Sequence, residues 1–88
     1  MDGRTLVARN LRKLRVRRGL SQDALAVDAG LDRSFVGRIE RGLENPTVDT
    51  LDRFAKALDV AAAELLRIPD KDEGPPPTLR RGRRARNS

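Results

Sequence analysis

Two short helical patterns separated by a single residue constrain this chain more than any other feature in it: residues 20–42, LSQDALAVDAGLDRSFVGRIERG. Ser21 is a good N-cap, because its side-chain oxygen accepts from the exposed backbone N–H groups of the next turn. Leu25, Ala26 and Ala29 then fall on one helical face. Gly30 adopts at little cost the left-handed conformation that ends a helix. Asp32 caps a second helix, in which Val36, Ile39 and Glu40 share the inner face, and Gly42 stops it. Only Leu31 separates Gly30 from Asp32, so the two helices must cross steeply. The second helix then turns Arg33, Ser34, Gly37, Arg38 and Arg41 outward.

Two helices joined so tightly form a helix-turn-helix motif, whose second helix can lie in the major groove of DNA. The rest of the chain supplies helices to pack against it. Thr5 or Asp2 starts a first helix with Val7, Leu11 and Leu14 on its apolar face and Arg9, Arg12, Lys13, Arg17 and Arg18 on the other, ending at Gly19. Residues 42–46 form a loop, since Pro46 pushes Asn45 out of helical space. Thr47 caps a fourth helix, with Asp49 in its first turn and Leu51, Phe54, Ala55 and Leu58 in one stripe. Asp59 and Val60 make a short turn, and Ala61 to Leu66 gives a last short helix before Pro69. No segment alternates with period two, so the expected fold is all-α: a compact bundle of five helices.

Composition narrows the chemistry. The chain has no cysteine and no histidine, which removes disulfides, thiolate or imidazole metal sites and the common nucleophilic triads. No enzyme activity, cofactor or metal is expected. No stretch approaches the roughly 20 apolar residues of a membrane span, and the N-terminus lacks the apolar run of a signal peptide, so the expected location is cytoplasmic. The net charge of +6 is unevenly placed. Residues 1–41 carry ten Lys and Arg against five Asp and Glu, residues 42–69 three against five, and residues 70–88 six against three. The basic excess accompanies the helix-turn-helix and the tail, as the footprint of a polyanion would be distributed. A generic Arg-rich surface reads the same way on charge alone.

The chain divides at Pro69. Residues 1–68 form the folded domain. Residues 69–88, PDKDEGPPPTLRRGRRARNS, hold four of the five prolines and only one large apolar residue, Leu79, and are expected to be disordered. The block Arg80, Arg81, Arg83, Arg84 and Arg86 reads either as a basic arm along DNA or as a solubilising tail.

From Val7 to Leu66 the chain resembles the phage-repressor-like helix-turn-helix transcriptional regulators, the XRE family. The residues carrying the resemblance are Leu11-Arg-Lys-Leu14-Arg15, Gly19-Leu-Ser-Gln22, Leu25-Ala26, Ala29-Gly30, Ile39-Glu-Arg-Gly42, Asn45-Pro46 and Leu51 through Leu58. The resemblance implies a five-helix DNA-binding bundle and an ion pair between Arg15 and Glu40. Spacing supports the pair independently: Arg15 borders the buried stripe of the first helix, Glu40 adjoins Ile39, and a partly buried carboxylate needs a partner. The resemblance also implies that Gln22 holds a phosphate; read without it, Gln22 is an ordinary exposed polar residue beside an N-cap.

By the same resemblance, Arg33, Ser34, Gly37 and Arg38 face base edges. Arginine's fork suits the O6 and N7 acceptors of guanine, and a glycine lets the backbone approach closely. Ser21, Gln22, Arg41, Asn45, Arg12 and Arg18 are the expected phosphate contacts, which fix register without reading sequence. Phe35 packs at the core or lies at the groove edge. Asp32 departs from the Ser or Thr of the family at this cap and, close to a DNA backbone, repels it somewhat. Binding as a homodimer to a pseudo-palindromic operator is expected, with recognition helices about 34 Å apart. Leu43, Val60, Leu66 and Ile68 are the candidate dimer surface. The alternative is an antitoxin or an adaptor, whose tail or C-terminal helices bind a protein partner.

Overall fold

The computed structural model describes residues 1–70 and residue 74. Among them are four α-helices, one 3-10 turn and no strand. The helices are α1 (Gly3–Arg17), α2 (Gln22–Ala29), α3 (Arg33–Glu40) and α4 (Val48–Leu58), followed by the 3-10 turn Ala62–Leu66. Apart from Pro69, Asp70 and Gly74, the tail with its arginine block lies outside the described residues.

Each α-helix is closed at both ends by its own sequence. Asp2, Ser21, Asp32 and Thr47 accept from the backbone N–H of Thr5, Ala24, Ser34 and Thr50 at 2.8–3.0 Å. Asp2, not Thr5, is therefore the first cap. Those N–H bonds hold the Asp2 carboxyl below its ordinary 3.8, and the Ser34 N–H and hydroxyl do the same for Asp32. At the C-termini the chain folds back on itself: Leu20, Leu31, Leu43 and Val60 donate to the carbonyls of Arg15, Ala26, Arg38 and Ala55. This bond spans six residues and requires a left-handed residue just before its donor. Glycine fills that position three times, but α4 ends on Asp59, with φ 57°. A left-handed non-glycine residue is strained by about 1–2 kcal/mol, partly offset by the greater freedom of unfolded glycine. Asp59→Gly is therefore expected to stabilise the domain by about 0.5–1 kcal/mol, raising the melting midpoint by several degrees. Calorimetry checks this; an unchanged or lower midpoint would show that Asp59 carries no strain.

The apolar stripes meet where their spacing aims them. Leu11 of α1, Leu25 of α2, Val36 and Ile39 of α3, Phe54 and Leu58 of α4, and Leu65 of the closing turn are fully buried. They form one cluster with Val7, Leu14, Ala26, Ala29 and Leu51, and Leu31, the single residue between α2 and α3, packs against it. The 3-10 turn packs across α1 and α4 and closes the bundle.

That last element is not the fifth α-helix expected. Ala61 offers no capping side chain, and five residues are too few for α-helical bonds to compensate for the nucleus. The turn instead uses three-residue bonds, Glu64 N–H to Ala61 at 2.9 Å and Arg67 N–H to Glu64 at 3.4 Å. Its end is held by α1: buried Asn10 donates from Nδ2 to the carbonyl of Leu65 at 3.0 Å and to that of the C-cap Arg67 at 2.9 Å.

Candidate nucleic-acid interface

The orientation of α3 is fixed by a buried carboxylate. The Glu40 side chain is completely buried. Arg15 of α1 meets it with two parallel bonds, Nε to Oε2 at 2.6 Å and Nη2 to Oε1 at 2.9 Å, and spends Nη1 on the Leu20 carbonyl at 2.8 Å. Gln22, the first residue of α2, donates Nε2 to Oε1 at 3.1 Å, and Arg12 Nε stands 3.6 Å from the same oxygen. One carboxylate thus ties α3 to α1 and to the start of α2. The expected Arg15–Glu40 pair is present, and Gln22 joins it rather than standing as an ordinary exposed residue.

Positive charge exceeds what Glu40 neutralises. Beside it, Arg9, Arg12 and Arg41 line a groove of about 310 Å3 between α1 and the end of α3, with Met1, Thr5, Ala8 and Gly42. Arg41, at the C-cap of α3, is exposed. Arg18, Ser21 and Asn45 are exposed too, while Arg12 is half-buried. The Ser21 oxygen serves as the α2 cap, which leaves its hydroxyl hydrogen available to an acceptor.

Along α3, Arg33 and Ser34 are exposed and Arg38 half-exposed. Arg33 Nη1 lies 3.2 Å from Asp23 Oδ2 in an exposed pair, which contributes little and breaks readily. The Ser34 hydroxyl donates to Asp32 Oδ1 at 2.8 Å. Phe35 packs against the core, and the Arg38 guanidinium sits 5.8 Å from its ring centre. Arg38 Nε also donates to Glu44 Oε2 at 2.7 Å.

Gly37 does not lie on the outer face as its spacing suggested. It is buried: a Cβ there would stand 3.6 Å from Gln22 Oε1 and 3.7 Å from Arg41 Nη1. The missing side chain leaves a notch into which those two side chains reach. Two further residues carry no local signal in the sequence: Asn10, buried on the flank of α1's apolar stripe, and Glu44. Glu44 stands six residues beyond Arg38, but the bond from Leu43 N–H to the Arg38 carbonyl at 3.0 Å turns the chain back beside it.

The sequence pattern of HTH_3, described as helix-turn-helix, matches residues 11–65, which span α2, α3 and the buried joint. The chain belongs to the helix-turn-helix family. That family, of the XRE type, is one of DNA-binding transcriptional regulators and not of enzymes. An HTH-type transcriptional regulator of Sinorhizobium fredii, y4dJ, is 39% identical over 71 residues, covering 81% of this chain and 92% of that protein. The crystal structure of the restriction-modification controller protein C.AhdI from Aeromonas hydrophila matches with 44% identity and a TM-score of 0.69, over 70% of this chain and 94% of that one. A hypothetical transcription factor from Neisseria, NHTF, matches with 43% identity and a TM-score of 0.75, over 77% and 78% of the two chains.

This helix-turn-helix domain also exposes Leu43, Leu66 and Ile68, the last at 75% of full exposure. Val60, grouped with them by sequence, is half-buried and packs against the core. Val27 and Val48 are exposed as well. Among the described residues no helix is long and apolar enough to cross a membrane.

Proposed function

We propose that this helix-turn-helix protein is a sequence-specific regulator of transcription that binds double-stranded DNA as a homodimer, with α3 in the major groove. The observation that carries the proposal is the joint at Glu40. A fully buried carboxylate shared by Arg15, Gln22 and Arg12 holds α3 rigidly while its outer side chains, Arg33, Ser34 and Arg38, stay exposed or half-exposed. Base readout needs such a fixed presentation, because a bidentate contact tolerates little misplacement.

Arg33 and Arg38 read G·C pairs and Ser34 contributes weakly. Buried Gly37 serves by its notch, which seats Gln22 and Arg41 against α3, and approaches DNA only at the backbone. Arg12, Arg18 and Arg41 neutralise phosphates, and Ser21, the second N–H of the Gln22 amide, and Asn45 bond to them. The Glu40 joint thereby also links a phosphate contact to the recognition helix. One domain of this size contacts little DNA, so two are needed for specific binding at physiological salt. The exposed apolar residues Leu43, Leu66 and Ile68, with Val60 as their inner support, form the dimer surface. The likeness to the HTH-type transcriptional regulator y4dJ supports regulation of transcription; a place in the cytoplasm and the lack of enzyme activity belong to the same reading.

Arg33→Ala tests the readout. On a duplex that the wild-type dimer selects from a random pool, the variant loses one bidentate contact in each half-site, about 1–3 kcal/mol apiece, and is expected to bind at least about 30-fold more weakly. On random duplex it should differ far less. Equal losses on both duplexes would make Arg33 a phosphate contact.

A further inference from the structure

Resting on the reading of Arg38 as a base contact, we propose that Glu44 is a specificity-determining positioning residue: it holds the Arg38 guanidinium for base readout and keeps it from binding phosphate indiscriminately. Glu44 lies in the loop after α3, with both side chains partly exposed and Nε of Arg38 donating to Oε2 at 2.7 Å. The guanidinium is held from a second side by the Phe35 ring, 5.8 Å from its centroid. With Nε occupied, the two Nη groups remain as donors, and their direction is set by the Glu44 bond and the ring. Arginine free to rotate reaches many acceptors, and on DNA the most abundant are phosphates, alike at every sequence. A carboxylate at this position opposes that use in two ways. It restrains the fork, and its own charge repels any phosphate brought near Arg38. A guanine presents acceptors without a formal charge and suffers that repulsion less. Glu44 thus lowers affinity for DNA in general more than for the right base pair, a repulsive element that creates discrimination.

The test compares wild-type protein with Glu44→Gln, Arg38→Ala and the double variant on two duplexes of equal length, one selected by the wild type from a random pool and one of random sequence. Glu64→Gln, which removes the same charge from the exposed face of the closing turn, controls for net charge. Thermal melting establishes that each variant is folded. Glu44→Gln is expected to tighten binding to the random duplex about three- to tenfold, with a steeper salt dependence, and to change binding to the selected duplex by less than about twofold. In the Arg38→Ala background the same substitution should act no more strongly than Glu64→Gln. An effect of Glu44→Gln that matches Glu64→Gln, or that persists without Arg38, overturns the proposal while leaving the regulator reading intact. If Arg38→Ala leaves the discrimination unchanged, both this proposal and the assignment of Arg38 to a base fall. If the wild type itself does not discriminate between the duplexes, the regulator reading falls with them.

Discussion

Glu40→Ala is expected to lower the stability of this domain by about 3–5 kcal/mol, the cost of leaving one member of a buried ion pair without the other. The carboxylate accepts two bonds from Arg15 and one from Gln22, with Arg12 at 3.6 Å. Its removal leaves the Arg15 guanidinium, 8% exposed, with a single carbonyl partner, Leu20. A domain of about 70 residues has a net stability of only about 4–10 kcal/mol, and each kcal/mol moves its midpoint by about 4–8 °C. The variant should therefore be largely unfolded at temperatures where the wild type is folded. Replacing both partners, Arg15→Met with Glu40→Leu, should recover much of the loss, since no buried charge remains. Calorimetry of the three proteins decides the matter: a midpoint for Glu40→Ala within a few degrees of wild type would mean that the pair is not the joint of the fold. The double variant, folded but without the tie between α1, α2 and α3, should still bind DNA poorly.

Raising salt from 50 to 200 mM is expected to weaken DNA binding by about a thousandfold. Three arginines per chain are assigned to phosphates, Arg12, Arg18 and Arg41, hence six in a dimer. Each neutralised phosphate contributes about −0.9 to the slope of log affinity against log salt, so the slope should be about −5. Arg41→Ala removes two of the six contacts and should flatten the slope by about 2 without changing the preferred sequence. Fluorescence anisotropy at several salt concentrations measures both. A wild-type slope shallower than about −2 would contradict the placement of these arginines on phosphates.

The helix boundaries were legible because they are written locally. A capping oxygen and a stop residue act within one turn, so Ser21, Asp32 and Thr47, with Gly19, Gly30 and Gly42, could be read without knowing the tertiary structure. The core stripes followed from period alone. The Arg15–Glu40 pair was legible for a different reason: a carboxylate beside Ile39 on an inner face must be matched, and Arg15 flanks the stripe of another helix. What stayed hidden depends on which side chains meet across elements. Gly37 sits at the border of the two faces of α3, and only the neighbours decide whether such a position is open; here Gln22 and Arg41 close over it. The bond from Gln22 to Glu40 joins residues 18 apart in sequence, and the one from Asn10 to Leu65 residues 55 apart. No local pattern marks either. Alanine and leucine in residues 61–66 favour a helix, but the missing cap at Ala61 and the Leu65 and Arg67 carbonyls claimed by Asn10 decide for a 3-10 turn.

The most direct measurement is selection of bound sequences from a random duplex pool, using purified protein at about 150 mM salt. A dimeric, sequence-specific regulator should enrich a two-fold-related motif containing guanines, with half-sites about ten base pairs apart, and Arg33→Ala should relax one position in each half. A pool that emerges without an enriched motif, bound by a protein whose affinity simply fades as salt rises, would leave only counterion release and contradict the operator reading.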